Sequence, residues 1–260
     1  MKKIDTKWQN EMPQSCDLMI HSSIKSIGLK LDIEEFIWQL INSIGGLNVS
    51  TVLMPTFTFL FTETKYYNPD TSPSEAGLLT EAFRLMDFQG RKAIRTLNPM
   101  QSVAVVGKND TMYTSISSKC STTFGDSSIF DLMLKQDAYC VLIGVDYDKC
   151  TFYHYLEEKF QVPFRFWKAF DGVIELNGKR EKVNFKNFIR YLQYETNINH
   201  YGLLLEERGL VKKINIGNAI SRLFKVKDLY DLLSQEVQRD PFCLTNTQES
   251  FWQIKTTLDN

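Results

Sequence analysis

Short apolar runs alternate along the chain with segments whose apolar residues recur at helical spacing. The runs are rich in Val, Ile and Leu and are bounded by Gly, Pro or polar residues. They predict strands at Asp17 to His21, Thr51 to Pro55, Ser102 to Val106 and Tyr139 to Val145. Because alternating strands and helices are the pattern of an α/β protein, we expect these strands to form the centre of one sheet.

Helical spacing is clearest from Ile33 to Ile44, where the apolar residues share one face. Asp32 is suited to cap the start of this helix, and Gly45-Gly46 is suited to end it. Further helices are predicted at Ser74 to Met86, Asp126 or Ser127 to Leu134, Tyr201 to Arg208, and Val226 to Val237.

Three segments follow other patterns. Residues that alternate around Asn177-Gly178 predict an antiparallel ribbon from Phe166 to Val183, because Asn-Gly favours the tight turn of a hairpin. Gly217-Asn218 is predicted to form a loop. Between Pro55 and Pro73 no clear period is visible, and loops of this length usually carry function. A surface excursion packed by its own aromatic residues is the alternative interpretation.

Composition limits the classes of protein to consider. The 260 residues are 43% hydrophobic and 23% charged, with 30 Lys plus Arg against 31 Asp plus Glu, which predicts a globular chain with no nucleic-acid or membrane partner. We expect one domain over residues 1–260, with two small domains as the alternative. Five cysteines without CxxC spacing favour a reducing compartment, and the early residues do not resemble a signal peptide, so we expect a cytoplasmic location.

The chain has three histidines, His21, His154 and His200, and these limit the search for a general base. On a helix, Thr151, His154 and Glu157 would share one face, after a strand end where ligands bind in α/β sheets. A carboxylate one turn from a histidine orients the ring and stabilises its cation, as a general base requires. Glu158 is a second candidate for that carboxylate, and a solvated helix face with chance spacing is the alternative.

His21 ends the first predicted strand and precedes a turn of small hydroxyl and glycine residues, from Ser22 to Gly28. Backbone N–H groups of such a turn, with the cation of Lys25, suit a phosphate or pyrophosphate. The spacing is not that of a P-loop, and a plain turn is the alternative. Because His200 has no Cys or acidic neighbour at metal-ligand spacing, no metal is expected.

Several motifs form one ordered set along the chain. They are HSSIKSIG at His21 to Gly28, LMPTFTF at Leu53 to Phe59, NPDTSPSEAGLLTEAFR at Asn68 to Arg84, RTLNPMQSVAVVG at Arg95 to Gly107, FGDSSIFDLM at Phe124 to Met133, VLIGVDYDKCTFYHYLEE at Val141 to Glu158, VPFR at Val162 to Arg165, and GNAISRLFKVKDLYDLL at Gly217 to Leu233. Over about residues 18 to 235, their order and spacing resemble the aminoglycoside 3-N-acetyltransferase family, a group of acetyl-CoA-dependent antibiotic-modifying enzymes and their relatives.

The resemblance implies a single-domain α/β/α sandwich with a mixed central β-sheet, which binds acetyl-CoA in a cleft and transfers acetyl to an amine. It implies that His154 is the general base, Glu157 its carboxylate partner and Thr151 a neighbour of the thioester. The implied contacts to CoA are His21, Ser22, Ser23, Lys25, Gly28, Asn98 and Ser102. The implied contacts to the substrate are Tyr67, Asp70, Glu81 and Glu158.

Two positions depart from the family pattern. Asn98 stands where the family has His before Pro, and it cannot titrate. Lys25 stands where the family has Arg, and it keeps the charge but not the bidentate geometry. The acceptor therefore stays open between an aminoglycoside at its 3-amino group and another amine, such as a nucleotide-linked amino sugar of surface-glycan synthesis.

Other function classes are kept as alternatives. One is a non-catalytic domain that binds CoA or a sugar, and another is a metal-dependent hydrolase that uses His154, Glu157 and His21. For the transferase, the expected partners are CoA and a small-molecule amine, and the expected assembly is a monomer or homodimer.

Overall fold

The fold is organised around two β-sheets. A computed structural model describes residues 6–28, 32–117 and 122–246. The strands in these residues are β1 (Asp17–Ser22), β2 (Thr51–Pro55), β3 (Tyr66–Tyr67), β4 (Ile94–Arg95), β5 (Val103–Gly107), β6 (Tyr139–Ile143), β7 (Arg165–Leu176), β8 (Lys179–Arg190), β9 (Lys212–Ile216) and β10 (Ala219–Lys225).

Helices connect most of these strands. The α-helices are α1 (Ile24–Ile27), α2 (Ile33–Ser43), α3 (Phe61–Thr64), α4 (Leu78–Leu85), α5 (Asp110–Ser117), α6 (Ile129–Lys135), α7 (Tyr153–Lys159), α8 (Asn199–Glu207) and α9 (Val226–Arg239). Short 3-10 turns cover Lys7–Glu11, Pro99–Gln101 and Tyr147–Lys149. None of the described helices is long and apolar enough to cross a membrane.

The larger sheet has seven strands in the order β4-β5-β2-β1-β6-β10-β9. The four strands predicted from apolar runs are β5, β2, β1 and β6, so their predicted central position is confirmed. β1 runs parallel to β2 and β6, whereas β5 and β10 run antiparallel to their neighbours. Because β1 and β6 are parallel, the segments that follow them leave the sheet at the same edge.

Apolar side chains cover both faces of this sheet. Leu18 and Ile20 of β1 belong to a core that also contains residues of α2 and α4. Met19, between them, belongs to a second core with residues of α6, α7 and α9, as the two-residue period of a strand requires. The result is the expected three-layer α/β/α sandwich with a mixed central sheet.

Local backbone and capping residues decide where several helices and strands begin or end. Asp32 accepts a hydrogen bond from the Glu35 N–H at 3.0 Å, which confirms the predicted cap of α2. The predicted start of α4 at Ser74 is wrong, because Gly77 has φ +135° and the helix begins at Leu78. β6 ends at Ile143 rather than at Val145 because Gly144 adopts φ +64°.

The predicted ribbon is a long hairpin. β7 and β8 pair antiparallel over 12 residues each, and Asn177 and Gly178 form the turn at φ 50° and 75°. β8 extends to Arg190, beyond the predicted end at Val183. β3 pairs parallel with β7 and completes a three-stranded second sheet. The segment between Pro55 and Pro73 thus contains α3 and β3, and it is attached to the hairpin.

Arg95 also binds the segment between Pro55 and Pro73. Its side chain is buried, and its guanidinium donates hydrogen bonds to the carbonyl oxygens of Thr56, Pro69 and Ser72. It also donates to the hydroxyl groups of Thr58, at 2.9 Å, and Ser102, at 3.1 Å. One cation therefore supplies the donors that this irregular stretch of backbone needs.

Candidate active site

His154 and Glu157 form the centre of the site, on α7. The His154 Nδ1 atom lies 2.5 Å from Glu157 Oε2. The Glu157 side chain is completely buried, whereas the His154 side chain keeps 20% of its surface exposed. With Glu157 ionised, Nδ1 carries the proton and donates it to the carboxylate, which leaves a lone pair on Nε2. The predicted pair is therefore in contact, with the ring oriented by the carboxylate.

Arg165, at the start of β7, is the third member of this cluster. Its Nε atom lies 2.8 Å from Glu157 Oε2, and its Nη2 atom lies 3.1 Å from His154 Nδ1. No role was predicted for Arg165 from the sequence, although the residue ends the VPFR motif. That motif was the available signal, and in the fold the Arg165 guanidinium also donates to the Phe188 carbonyl of β8 at 2.9 Å.

Burial lowers the pKa of His154 below the ordinary value of 6.5. The negative charge of Glu157 opposes this effect, and the positive charge of Arg165 adds to it. His154 is therefore neutral at pH 7. A neutral imidazole with a free Nε2 lone pair is the form that accepts a proton.

Arg165→Gln and Glu157→Gln should move the pH profile of kcat/KM in opposite directions. A neutral base is active above its pKa and loses activity as the pH falls through that value. Loss of Arg165 raises the pKa of His154, so the acid limb should move to higher pH, whereas loss of Glu157 should move it to lower pH. With acetyl-CoA, the cosubstrate that the sequence resemblance implies, at saturation, release of free thiol measures both profiles, and exposed Arg239→Gln is the control. Shifts in the same direction would contradict this electrostatic arrangement.

Thr151 and His21 lie beside this cluster. α7 begins at Tyr153, so the prediction that Thr151 lies on the same helix face as His154 is wrong. The Thr151 carbonyl oxygen accepts a hydrogen bond from the His154 N–H at 3.1 Å. The Thr151 N–H donates to His21 Nε2 at 3.4 Å. Burial, and then the nearby His154, lower the pKa of His21 to about 3, so His21 is neutral. Among the described residues the Thr151 hydroxyl has no hydrogen-bond partner, which leaves it able to donate to a ligand.

The turn from Ser22 to Gly28 follows β1 at the same edge of the sheet. Ser23 caps α1, with its hydroxyl accepting from the Ser26 N–H at 3.3 Å. A Cβ atom on Gly28 would lie 2.4 Å from the Asn218 side chain, so the close approach requires glycine there. His21, Ser22 and Lys149 line a cavity of about 340 Å³, whereas Lys25 is exposed. The hydroxyl groups of Ser22 and Thr80 and the lysine at this cavity suit a ligand that carries phosphate.

The other predicted contact residues lie around Arg84 and Arg95. Tyr67 is buried and donates to the Thr96 carbonyl at 3.1 Å, and Ser102 is completely buried beside Arg95. Glu81 pairs with Arg84, which also donates to the Asp70 carbonyl. Within residues 6–28, 32–117 and 122–246, no hydrogen bond or ion pair joins Tyr67, Asp70, Glu81 or Ser102 to His154. Their contacts to CoA or substrate stay predictions.

Glu158 and Asn98 have partners of their own. Glu158 accepts hydrogen bonds from the Thr122 hydroxyl and the Phe124 N–H, and burial raises its pKa. Glu157, rather than Glu158, is therefore the carboxylate that contacts His154. Asn98 donates to the Thr123 hydroxyl at 2.6 Å and to the side-chain oxygen of Asn187 at 3.2 Å.

One group of potential metal ligands comes together in the part of the chain that the structure describes. It consists of His21, Cys140 and Cys150, all buried, with the two sulfur atoms 3.9 Å apart. His154 and Glu157 do not belong to it. The ligand set assumed for a metal-dependent hydrolase therefore does not assemble in the described residues.

Comparison with known protein families identifies the chain. Residues 19–238 match the family model described as aminoglycoside 3-N-acetyltransferase. The chain belongs to this family. The predicted N-acetyltransferase class and the predicted cosubstrate acetyl-CoA are those of the family and are confirmed. No sequence among curated proteins matches the chain.

Solved structures of acetyltransferases in this family share the fold. The apoenzyme of AAC(3)-IVa is 22% identical, with a TM-score of 0.73 over 92% of this chain and 87% of that chain. AAC-IIIb in a binary complex with CoASH is 16% identical, with a TM-score of 0.73 over 87% of this chain and 91% of that chain. AAC-VIa bound to sisomicin is 18% identical, with a TM-score of 0.74 over 87% of this chain and 92% of that chain. At these identities, the likeness establishes the fold.

Proposed function

We propose that this protein acetylates an amino group of an amino sugar or aminoglycoside, with acetyl-CoA as donor and His154 as general base. The cluster of His154, Glu157 and Arg165 carries this proposal, because it presents a neutral imidazole whose protonated nitrogen is held by a buried carboxylate. CoASH bound to AAC-IIIb and sisomicin bound to AAC-VIa support this pair of substrates.

The neutral form of the acceptor amine is the nucleophile, and His154 promotes its attack by removing a proton. Acetyl-CoA supplies the acetyl group as a thioester. As the amine nitrogen bonds to the acetyl carbon, one N–H proton passes to His154 Nε2 and the C–S bond breaks. That proton then neutralises the CoA thiolate, so the products are an amide and free CoA thiol. Glu157 stabilises the transient imidazolium, and the Thr151 hydroxyl is suited to donate to the carbonyl oxygen.

The turn after β1 is the proposed CoA contact. His21 and Ser22 end β1, whereas Ser23, Lys25 and Gly28 lie in the turn. The cavity lined by His21 and Ser22 lies beside Thr151, whose N–H donates to His21. This arrangement supports CoA binding at the sheet edge from which the segment with Thr151 and His154 also leaves, so that the thioester end of CoA can reach the proposed base.

The direct test is release of free thiol from acetyl-CoA with a panel of amines. The panel includes sisomicin, gentamicin, amino sugars and nucleotide-linked amino sugars, and mass spectrometry should find one added acetyl group on the accepted amine. CoA binding by calorimetry without thiol release from any amine would contradict the proposal and favour a non-catalytic CoA-binding domain.

A further inference from the structure

A buried histidine and two buried cysteines meet beside the candidate active site. They are His21, near the end of β1, Cys140, in β6, and Cys150, which directly precedes Thr151. One nitrogen atom of His21 and the two sulfur atoms all lie within 4.8 Å of one another. The spacing of the cysteines along the chain resembles no short metal motif, so the sequence alone predicts no metal here. The proposed acetyl transfer gives Cys140 and Cys150 no role.

The register of the central sheet explains why these residues meet. β1 and β6 run parallel, with Met19 opposite Cys140. His21 is two residues beyond Met19 and therefore lies on the same face of the sheet as Cys140. After β6 the chain returns to this face through the 3-10 turn Tyr147–Lys149, which ends at Cys150. Both cysteines belong to the apolar core that contains residues of α6, α7 and α9.

The donor atoms and their spacing match a thiophilic metal ion. The two sulfur atoms lie 3.9 Å apart, and two sulfur ligands of one tetrahedral zinc ion lie about 3.8 Å apart. A nitrogen and a sulfur ligand of the same ion lie about 3.6 Å apart, which the His21 ring reaches by a small shift from within 4.8 Å. Thiolate and imidazole are common ligands of Zn²⁺, and three protein ligands leave the fourth position for water.

Charge also favours a divalent ion in this cluster. Isolated thiolates are unfavourable in an apolar core, whereas two thiolates and one Zn²⁺ together carry no net charge. Burial, and then the nearby His154, lower the pKa of His21 to about 3, so the neutral ring offers a lone pair without first losing a proton. His21 also lines the cavity of about 340 Å³, which gives an ion a path to the cluster.

We propose that His21, Cys140 and Cys150 bind one Zn²⁺ ion and that the bound ion inhibits the enzyme. The inhibition rests on the proposed acetyl transfer. The Nε2 atom of His21 accepts a hydrogen bond from the Thr151 N–H at 3.4 Å. A metal on Nε2 takes the lone pair that accepts this bond, and a metal on Nδ1 moves the ring proton to Nε2, where it faces the Thr151 N–H. Either arrangement breaks the contact that positions Thr151.

Zinc titration of the reduced full chain tests the site. Competition with a chromophoric zinc chelator should give one bound ion per chain. Cys140→Ala and Cys150→Ala should each weaken binding more than about 100-fold, because loss of an outer-shell partner alone costs about 10- to 100-fold. Cys16→Ala is the matched control and should bind as the parent does, since Cys16 lies outside the cluster. Circular dichroism checks that each variant is folded, and Co²⁺ absorption reports thiolate ligands directly.

Mass spectrometry of the acetylated amine measures the inhibition, because zinc also binds free thiol and disturbs a thiol assay. Saturating Zn²⁺ should lower the rate of the parent at least about tenfold, since a displacement of about 1 Å near the reacting atoms can cost about 100-fold. Cys140→Ala should acetylate at about the parent rate without zinc and should keep that rate with zinc. This variant also corrects for zinc bound by the substrates.

Three results would overturn the inference. The first is parent binding of zinc no tighter than that of Cys140→Ala. The second is tight binding that persists in both alanine variants, which would place the ion elsewhere. The third is equal inhibition of the parent and Cys140→Ala, which would remove the inhibitory role. If no amine is acetylated, the proposed function fails, whereas the chelator competition still decides whether the zinc site exists.

Discussion

His154→Ala should lower the rate of acetyl transfer by about 10²- to 10⁴-fold, because the acceptor amine then has no positioned base. Glu157 cannot replace it, since that carboxylate is completely buried and lies behind the imidazole. The proposed CoA contacts, from His21 to Gly28, do not include His154, so CoA binding should persist. Raising the pH should partly restore the rate, because hydroxide then removes the proton.

Thiol release measures this effect, and calorimetry with CoA measures binding. His200→Ala is the matched control, because His200 lies on α8 and packs against the Tyr201 ring, 5.3 Å between centroids. We expect the control to keep its rate within about twofold, as for a surface change away from the site. An unchanged rate in His154→Ala would remove His154 from the mechanism, and joint loss of rate and CoA binding would indicate a structural role.

Arg95→Met should lower the free energy of unfolding by about 3–5 kcal/mol, because each buried carbonyl that loses its donor costs about 1–3 kcal/mol. The carbonyl oxygens of Thr56, Pro69 and Ser72 all lose their hydrogen bond to the guanidinium in this variant. Methionine keeps an apolar stem of similar length, so the effect isolates the charged donors. The segment between Pro55 and Pro73 should become the first to open.

Urea unfolding measures the loss as a lower transition midpoint, and hydrogen exchange locates it in the chain. Arg239→Met is the control, because the Arg239 side chain is 72% exposed and pairs with Glu236 on the same helix. It should change stability by no more than about 0.5 kcal/mol. A loss below about 1 kcal/mol in Arg95→Met would show that other contacts hold the segment.

The elements that depend on local physics can be predicted from the order of residues alone. Burial on both faces makes the central strands continuous apolar runs, and a single N-cap decides where α2 begins. The turn at Asn177-Gly178 follows from backbone conformations that these two residues tolerate. The contact of His154 with Glu157 follows from three-residue spacing on a helix, which brings the side chains onto one face.

The contacts that join these elements can be identified only from the folded chain. Arg165, at the start of β7, pairs with Glu157 of α7, and Arg95 reaches Thr56 across 39 residues of sequence. Tyr67 and Ser102, grouped with the site by resemblance, are buried around Arg95, and their contacts to substrate and CoA stay predictions. No short pattern records such contacts, because they depend on the free energy of packing the whole chain. Local propensity decides what each segment becomes, and long-range burial and hydrogen bonding decide what it touches.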